Sequence, residues 1–227
     1  TTSVVITQDI ALPIPLITNN TGATELTCNL TSINLTASGG DSYLWSTGAT
    51  TATIDVTTPD TYSVTVTGPN GCEDTTSLVI TQDITLPLPV ITNNTGATQL
   101  DCNVNSINLT ASGGDSYLWS TGATTATIDV TTPNTYSVTV TGPNGCDDTT
   151  SLVITEDVSL PIPMITNNTG TPELNCDVTS INLTASGGDS YLWSTGETTA
   201  TIDVTTPDTY SVTVTGVNGC EDVTSIV

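Results

Sequence analysis

The sequence contains no lysine, arginine or histidine, so every charged side chain is acidic. Its 227 residues include 23 Asp and Glu, which gives a formal net charge of −23 at pH 7. Nucleic acid is excluded as a partner, since phosphate binding depends on cationic side chains that displace counterions. The chain also lacks the imidazole and ammonium groups that most enzymes use as general bases or nucleophiles. We therefore predict that it is not an enzyme.

Long apolar runs are also missing. The longest, residues 10–17, has eight residues and contains Pro13 and Pro15, whereas a membrane-spanning helix needs about 20. We therefore expect no direct membrane insertion of this part of the chain. A uniformly acidic surface also repels copies of itself, which suits a molecule displayed at high density.

What the sequence does contain is a tandem repeat with a period of 74 residues. Residues 11–84 and 85–158 differ at 11 of 74 positions, and residues 1–10 nearly reproduce residues 75–84. We interpret this opening segment as the C-terminal strand of a preceding repeat, and we expect the chain to be a fragment of a longer array. The predicted domains are residues 1–10 (end of a preceding repeat), 11–84 (repeat 1), 85–158 (repeat 2) and 159–227 (repeat 3, truncated at its last strand).

Cysteines occur at alternating spacings of 44 and 30 residues, as in a disulfide framework. Pairing within each repeat uses all six and is the favoured scheme, with one disulfide per repeat. Pairing across repeats, as in Cys72 with Cys102, leaves the outermost two unpaired. A 44-residue loop contributes about 4 kcal/mol in the chain-entropy model. Zinc is disfavoured because the cysteines are far apart in sequence, and the framework indicates an oxidising, extracytoplasmic compartment. The cysteines are Cys28, Cys72, Cys102, Cys146, Cys176 and Cys220.

Alternating apolar and polar residues predict β-strands in every repeat. In residues 32–38, for example, Ile33, Leu35 and Ala37 share one face. Turn signals separate the strands, and no segment has helical periodicity. The predicted fold is all-β, a tandem series of immunoglobulin-like antiparallel β-sandwiches. The predicted core residues are a tryptophan between the sheets and a tyrosine-corner tyrosine in each repeat: Trp45, Trp119, Trp193, Tyr62, Tyr136 and Tyr210.

The segment between domains contains alternate prolines, such as Pro87 and Pro89, interleaved with apolar residues. Alternate prolines hold a chain extended and cannot donate hydrogen bonds to a sheet. One interpretation is a short, stiff joint whose leucines pack between neighbouring domains. The other is an edge strand that proline protects from mispairing.

Acidic residues recur in one turn and in the linker of each repeat. They are candidate calcium ligands, because Ca²⁺ takes several oxygen ligands and the turns at Asp41 and before Cys72 are expected to face Asp9. The competing interpretation is a set of solvated acidic turns, and no other cofactor is expected. Thr75 and Thr149 partly match an O-glycosylation pattern. The calcium candidates are Asp9, Asp41, Asp83, Asp115, Asp157 and Asp189.

An ordered set of motifs, YLWSTGATTATIDV from Tyr43, TYSVTVTGPNGC ending at Cys72 and then SLVITQD, resembles the SprB-type repeat of Bacteroidetes gliding-motility and cell-surface adhesins. The resemblance covers all three repeats. It implies type IX secretion, display on the outer bacterial cell surface, and contact with neighbouring repeats and with the secretion and motility machinery. The implied function is a structural stalk or filament of a long secreted adhesin, for gliding motility or surface attachment. The alternatives are a multivalent glycan- or surface-binding module that acts by avidity and a laterally assembling extracellular fibre.

Overall fold

The computed structural model describes residues 3–227, in which strands are joined by turns and irregular segments. Within this range no helix is long and apolar enough to span a membrane. The strands of repeat 1 are β1 (Leu16–Asn19), β2 (Glu25–Thr27), β3 (Ile33–Ser38), β4 (Ser42–Trp45), β5 (Thr53–Val56), β6 (Asp60–Thr67) and β7 (Glu73–Asp83). Those of repeat 2 are β8 (Val90–Asn93), β9 (Gln99–Leu100), β10 (Ile107–Ser112), β11 (Ser116–Trp119), β12 (Thr127–Val130), β13 (Asn134–Thr141) and β14 (Asp147–Glu156). Those of repeat 3 are β15 (Met164–Asn167), β16 (Ile181–Ser186), β17 (Ser190–Trp193), β18 (Thr201–Val204), β19 (Tyr210–Thr215) and β20 (Glu221–Ile226).

Repeat 1 consists of two sheets, one with the order β1-β3-β5 and the other with the order β2-β7-β6-β4. Its pairs are antiparallel, except that β2 runs parallel to the end of β7, with Glu25 opposite Thr81 and Thr27 opposite Asp83. This parallel pair lies at the C-terminal end of the 11-residue strand β7. It therefore places the residue after β2 next to the start of the linker.

The chain divides into two compact units. Unit 1 comprises the residues up to Pro89 with Gly113–Tyr117 and Thr139–Thr149, and unit 2 comprises Val90–Ser112, Leu118–Val138 and Thr150–Val227. Unit 2 contains the sheets β8-β10-β12, β15-β16-β18 and β17-β19-β20. It also repeats the parallel pair, between β9 and the end of β14.

The core of repeat 1 lies between its two sheets. Strand β3 alternates strictly between buried and half-buried residues, and its buried side chains Ile33 and Leu35 join Trp45, which is only 2% exposed. The Trp45 Nε1–H donates to the Thr51 carbonyl at 2.9 Å, so the indole is buried with its polar atom paired. These features confirm the predicted all-β, immunoglobulin-like fold class.

The ends of the chain differ from the interior repeats. Residues 3–10 form no strand, whereas residues 77–83, the equivalents of residues 3–9, belong to β7 and pair with β6 and β2. The first two residues of the predicted opening strand lie outside the described range. At the other end β20 has six residues where β7 has 11, and residues 173–175, equivalent to β2, form no strand. The 74-residue domain boundaries stay a prediction.

Candidate functional site at the repeat junctions

An asparagine in the turn before the second cysteine fastens each repeat to its own linker. In unit 1 the Asn144 Nδ2–H donates to the Thr85 carbonyl at 2.9 Å and to the Asp83 carboxylate at 3.1 Å. Its Oδ1 accepts a hydrogen bond from the Cys146 N–H at 3.1 Å. Asparagine suits this position because its side chain carries a donor and an acceptor. The linker and the cysteine turn are therefore held as one piece.

The same arrangement occurs in the turns before Cys72 and Cys220, and we call the three residues Asn70, Asn144 and Asn218 the clamp asparagines. In unit 2 Asn218 donates to the Ser159 carbonyl at 2.9 Å and the Asp157 carboxylate at 3.2 Å, and it is only 9% exposed. In unit 1 the Asn70 Nδ2–H donates to the Asp9 carboxylate at 3.2 Å and to the Ala11 carbonyl at 2.8 Å. Sequence reasoning missed these asparagines because Asn-Gly looks like an ordinary turn. The available signal was that Asn-Gly-Cys persists in repeat 3, where Val217 replaces the preceding proline.

The predicted within-repeat disulfides are wrong, and so is the alternative of Cys72 with Cys102. Each disulfide joins the first cysteine of one repeat to the second cysteine of the next, across 118 residues of sequence. The Cα atoms are 5.1 and 5.0 Å apart, within the ordinary range for a disulfide. The bonds are Cys28–Cys146 in unit 1 and Cys102–Cys220 in unit 2, and the unpaired cysteines among residues 3–227 are Cys72 and Cys176.

Strand order explains this correction. Cys72 directly precedes the first residue of β7, whereas Cys28 follows β2, which pairs with the last residues of β7. Eleven strand residues separate these positions by about 35 Å, far beyond the Cα separation that a disulfide allows. Asp83, at the end of β7, is opposite Thr27 and also accepts the hydrogen bond from Asn144. The partner at that end is therefore Cys146.

The linker backbone is also packed against the following repeat. In unit 1 Gly113 has a φ of +108°, and a Cβ at this position would collide with the Leu88 carbonyl. Only glycine allows both the positive φ and this close approach. Gly187 makes the same approach to the Ile162 carbonyl in unit 2. The linker is thus fixed at two points, the clamp asparagine and the glycine turn.

The leucines of the linker are exposed, so the predicted packing of these side chains between neighbouring domains is wrong. Leu88 is 81% exposed and Leu86 57% exposed, whereas Pro87 between them is buried. Alternation along an extended backbone turns the prolines inward and the leucines outward. The edge-strand interpretation fits the next residues, because β8 begins at Val90, directly after Pro89, and lies at the edge of its sheet.

The candidate calcium ligands lie at the junctions, where at most two of them come together. Asp157 and Asp189 line one cavity of about 320 Å³ in unit 2, and Asp9 lies against the turn before Cys72 through Asn70, as expected. Asp9, Asp83 and Asp157 accept hydrogen bonds from the clamp asparagines, and the turn residues Asp41, Asp115 and Asp189 are exposed. In the described part of the chain, no three Asp, Glu or Cys side chains come close enough to hold a metal ion.

Hydrogen bonds shift two linker carboxyls. The Thr85 backbone N–H and hydroxyl, followed by Asn144, hold the pKa of Asp83 below its ordinary value of 3.8. The Ser159 hydroxyl and N–H do the same for the pKa of Asp157, assisted by Asn218 and opposed by desolvation. Because the pKa of each carboxyl is lower in the folded state than in the unfolded chain, these contacts stabilise the fold at pH values above the ordinary pKa. This contribution is lost as the pH falls through the folded-state pKa.

The remaining predicted residues have the following places. The tryptophans are 2% exposed in all three repeats, and the tyrosines are 4 to 8% exposed. The Tyr62 hydroxyl donates to the Thr58 carbonyl, four residues upstream, at 2.9 Å, which is the geometry of a tyrosine corner. Thr75 and Thr149 are exposed on β7 and β14 and lie within hydrogen-bond distance of a neighbouring threonine, at 3.0 Å in each case.

No family model matches the chain, and no curated protein matches it. Among solved structures, the chain is similar to part of a 1.5-MDa bacterial ice-binding adhesin, with a TM-score of 0.54 and 15% identity over 96% of this chain and 97% of that one. It is also similar to a Ca²⁺-stabilised adhesin with which an Antarctic bacterium binds ice, with a TM-score of 0.58 and 19% identity over 96% of this chain and 73% of that one. At these identities the likeness shows a shared fold.

Proposed function

We propose that this chain forms structural stalk repeats of a long secreted adhesin at a bacterial cell surface. The observation that carries the proposal is the junction, where a clamp asparagine and a disulfide between successive repeats recur at the 74-residue period. A stalk gains reach with every copy, and stability in such arrays comes from single repeats and from their nearest-neighbour contacts. A covalent bond across each joint suits a chain that is pulled from its ends in an oxidising environment.

Three further features support this role. Both structural neighbours described above are bacterial adhesins. The resemblance to SprB-type repeats supports type IX secretion, partners in the motility machinery, and a part in gliding or attachment. The absence of any basic residue fits dense display, because all copies repel one another. The proposal assigns the chain no catalytic role.

A binding assay separates a stalk from an adhesive module. The 227-residue chain and a tandem duplicate of it are passed over immobilised polysaccharides and over abiotic surfaces, with a lectin of known specificity as the positive control. A stalk is expected to bind none of them at either length. Binding that rises steeply from the single chain to its duplicate would instead show avidity and would overturn the proposal.

A further inference from the structure

Each clamp asparagine is followed by glycine and then by cysteine, and these three positions are the only Asn-Gly pairs in the sequence. Asn-Gly is the pair in which an asparagine side chain deamidates most readily, because glycine has no Cβ to hinder attack by its backbone nitrogen. The junction depends on the amide group that this reaction destroys. The contacts around Asn144 and Gly145 show how the pair is kept from reacting.

The clamp holds the group that would leave. Deamidation releases the Asn144 Nδ2 as ammonia, and in the structure this nitrogen donates to the Thr85 carbonyl at 2.9 Å and to the Asp83 carboxylate at 3.1 Å. Both N–H bonds of the amide thus have acceptors on the linker. Attack on Cγ makes the planar amide tetrahedral and turns Nδ2 away from these acceptors, so the loss of the hydrogen bonds adds to the barrier.

The attacking nitrogen is held as well. The Gly145 N–H donates to the Gly142 carbonyl at 3.0 Å, so the proton that must leave before the nitrogen can attack is in a hydrogen bond. A Cβ at Gly145 would collide with the Asn29 side chain, which therefore lies directly over this glycine. In unit 2 Asn103 covers Gly219 in the same way. The covering side chain leaves the glycine little room for the rotation that brings its nitrogen to Cγ.

The disulfide fastens this covering side chain to the turn. Asn29 directly follows Cys28 in the sequence. Gly145 directly precedes Cys146, the disulfide partner of Cys28, and the Cα atoms of the two cysteines are 5.1 Å apart. One contact acts in the opposite direction, because the Cys146 N–H donates to the Asn144 Oδ1 at 3.1 Å and polarises the carbonyl group under attack. That contact lies within the turn, so opening the junction removes the restraints from Asn29 and the linker and leaves the carbonyl group polarised.

We propose that Asn144 and Asn218 are deamidation sites that the closed junction keeps unreacted and that react once the junction opens. Each site is controlled by its own disulfide, Cys28–Cys146 for Asn144 and Cys102–Cys220 for Asn218. Reduction, or a pulling force that separates the linker from the turn, exposes the asparagine of that joint alone. The modification therefore records which joints have opened.

The reaction needs only water and hydroxide. Hydroxide takes the proton of the Gly145 nitrogen, which forms a bond to the Asn144 Cγ. The Cγ–Nδ2 bond breaks, and Nδ2 takes a proton from water and leaves as ammonia, which gives a succinimide ring. A water molecule then opens the ring at either carbonyl and yields aspartate or isoaspartate. For each asparagine, one water is consumed and one ammonia is released, and nothing is oxidised or reduced.

Neither product can rebuild the clamp. A carboxylate has no proton to donate to the Thr85 carbonyl, and it would lie beside the negatively charged Asp83. Isoaspartate also lengthens the main chain between residues 144 and 145 by one methylene group. That breaks the hydrogen bond that spans this turn, from the Gly142 N–H to the Cys146 carbonyl at 2.9 Å. A joint that has opened and deamidated therefore stays weakened after its disulfide forms again.

The test uses the full chain with its two unpaired cysteines replaced by serine, which prevents thiol exchange. The protein is kept in native buffer at mildly alkaline pH, and peptide mass spectrometry follows the conversion of Asn144 and Asn218. Adding Cys28→Ser and Cys146→Ser should speed the reaction at Asn144 about tenfold or more, the effect of losing two or more hydrogen bonds. The rate at Asn218, whose disulfide is intact, should not change and shows that its repeat stays folded. The mirror variant, which lacks the unit 2 disulfide instead, should give the reverse pattern.

A further variant separates the covering side chain from the disulfide. Asn29→Ala keeps both disulfides and, because Asn29 is exposed, leaves the fold intact. It should still raise the rate at Asn144 and not at Asn218. The matched control is Asn105→Ala, at another exposed asparagine, and it should change neither rate. Disulfide variants that accelerate both asparagines equally or neither of them, or rates in native buffer that equal those in concentrated urea, would overturn the proposal.

Discussion

The interlocked disulfides set how far the chain extends when it is pulled from its ends. The residues from Cys28 to Cys220 span 192 positions along the backbone. With both bonds closed, the shortest covalent path crosses from Cys28 to Cys146, returns to Cys102 and crosses to Cys220, so only 44 residues lie under tension. Reduction should therefore release 148 residues, which is about 500 Å of extended chain at about 3.5 Å per residue.

Single-molecule force spectroscopy with handles at the two termini measures this length directly. The fully unfolded contour is recorded first under oxidising conditions and then after a phosphine reductant is added. Replacing Cys28 and Cys146 by serine leaves one bond, and reduction should then release 118 residues, about 400 Å. The two variants that each lack one bond should behave alike, because both loops have the same length.

The decisive control replaces the unpaired cysteines, Cys72 and Cys176, by serine. The gain on reduction should remain at about 500 Å, because neither residue takes part in a bond within the chain. Within-repeat pairing would leave only Cys102–Cys146 in this variant, and the gain would fall to about 150 Å for its 44-residue loop. A gain near the smaller figure refutes the cross-repeat connectivity.

Three other outcomes follow from the same geometry. Met164 is the single methionine, so after cyanogen bromide cleavage of the variant without the unpaired cysteines, the fragments should stay joined on a gel until they are reduced; separation without reductant would contradict the cross-repeat bond. Asn144→Asp puts a second carboxylate beside Asp83 and should destabilise the fold by about 1–3 kcal/mol at neutral pH. As the pH falls, Asn144→Asp should regain stability relative to Asn144→Ala, because the two neighbouring carboxyls have a raised pKa and the protonated one can again donate a hydrogen bond. If the unfolding free energies of the two variants, measured in urea melts, changed in parallel with pH, this contact would be contradicted. Trp119→Ala should cost about 3–5 kcal/mol of unfolding free energy, whereas Leu118→Ala, at a side chain that is 54% exposed, should cost less than about 0.5 kcal/mol in the same melts.

Sequence patterns predicted the strands in which one face is apolar and the other is polar. Strand β3 has three buried residues in strict alternation, and that pattern is visible without a structure. Strand β2 was not predicted, because it has three residues and only Leu26 among them is buried. A single apolar residue carries no periodicity. The sequence therefore did not predict the short strand that places Cys28 at the junction.

The junction could not be predicted from the period for a related reason. A 74-residue repeat is compatible with several cysteine pairings, and choosing the pairing that uses every cysteine is not a geometric criterion. The contact between Asn144 and Asp83 spans 61 residues, and no local pattern marks it. Strand order supplies the missing information, since it places Cys28 and Cys72 at opposite ends of β7.

Near-identical repeats also leave the choice of disulfide partner to the folded state. In an unfolded chain, closing the 44-residue loop from Cys28 to Cys72 costs about 1 kcal/mol less conformational entropy than closing the 118-residue loop to Cys146. The short loop should then prevail over the native one, because the sequences around the two candidate partners are almost the same. Folding reverses this preference by holding the Cα atoms of Cys28 and Cys146 at 5.1 Å.

Oxidation of the reduced chain in concentrated urea should consequently give mostly short-loop bonds, while oxidation after refolding should give the cross-repeat bonds, as read by mass spectrometry of disulfide-linked peptides. If urea and native buffer gave the same peptides, the choice of partner would lie in local sequence and not in the packing at the junction.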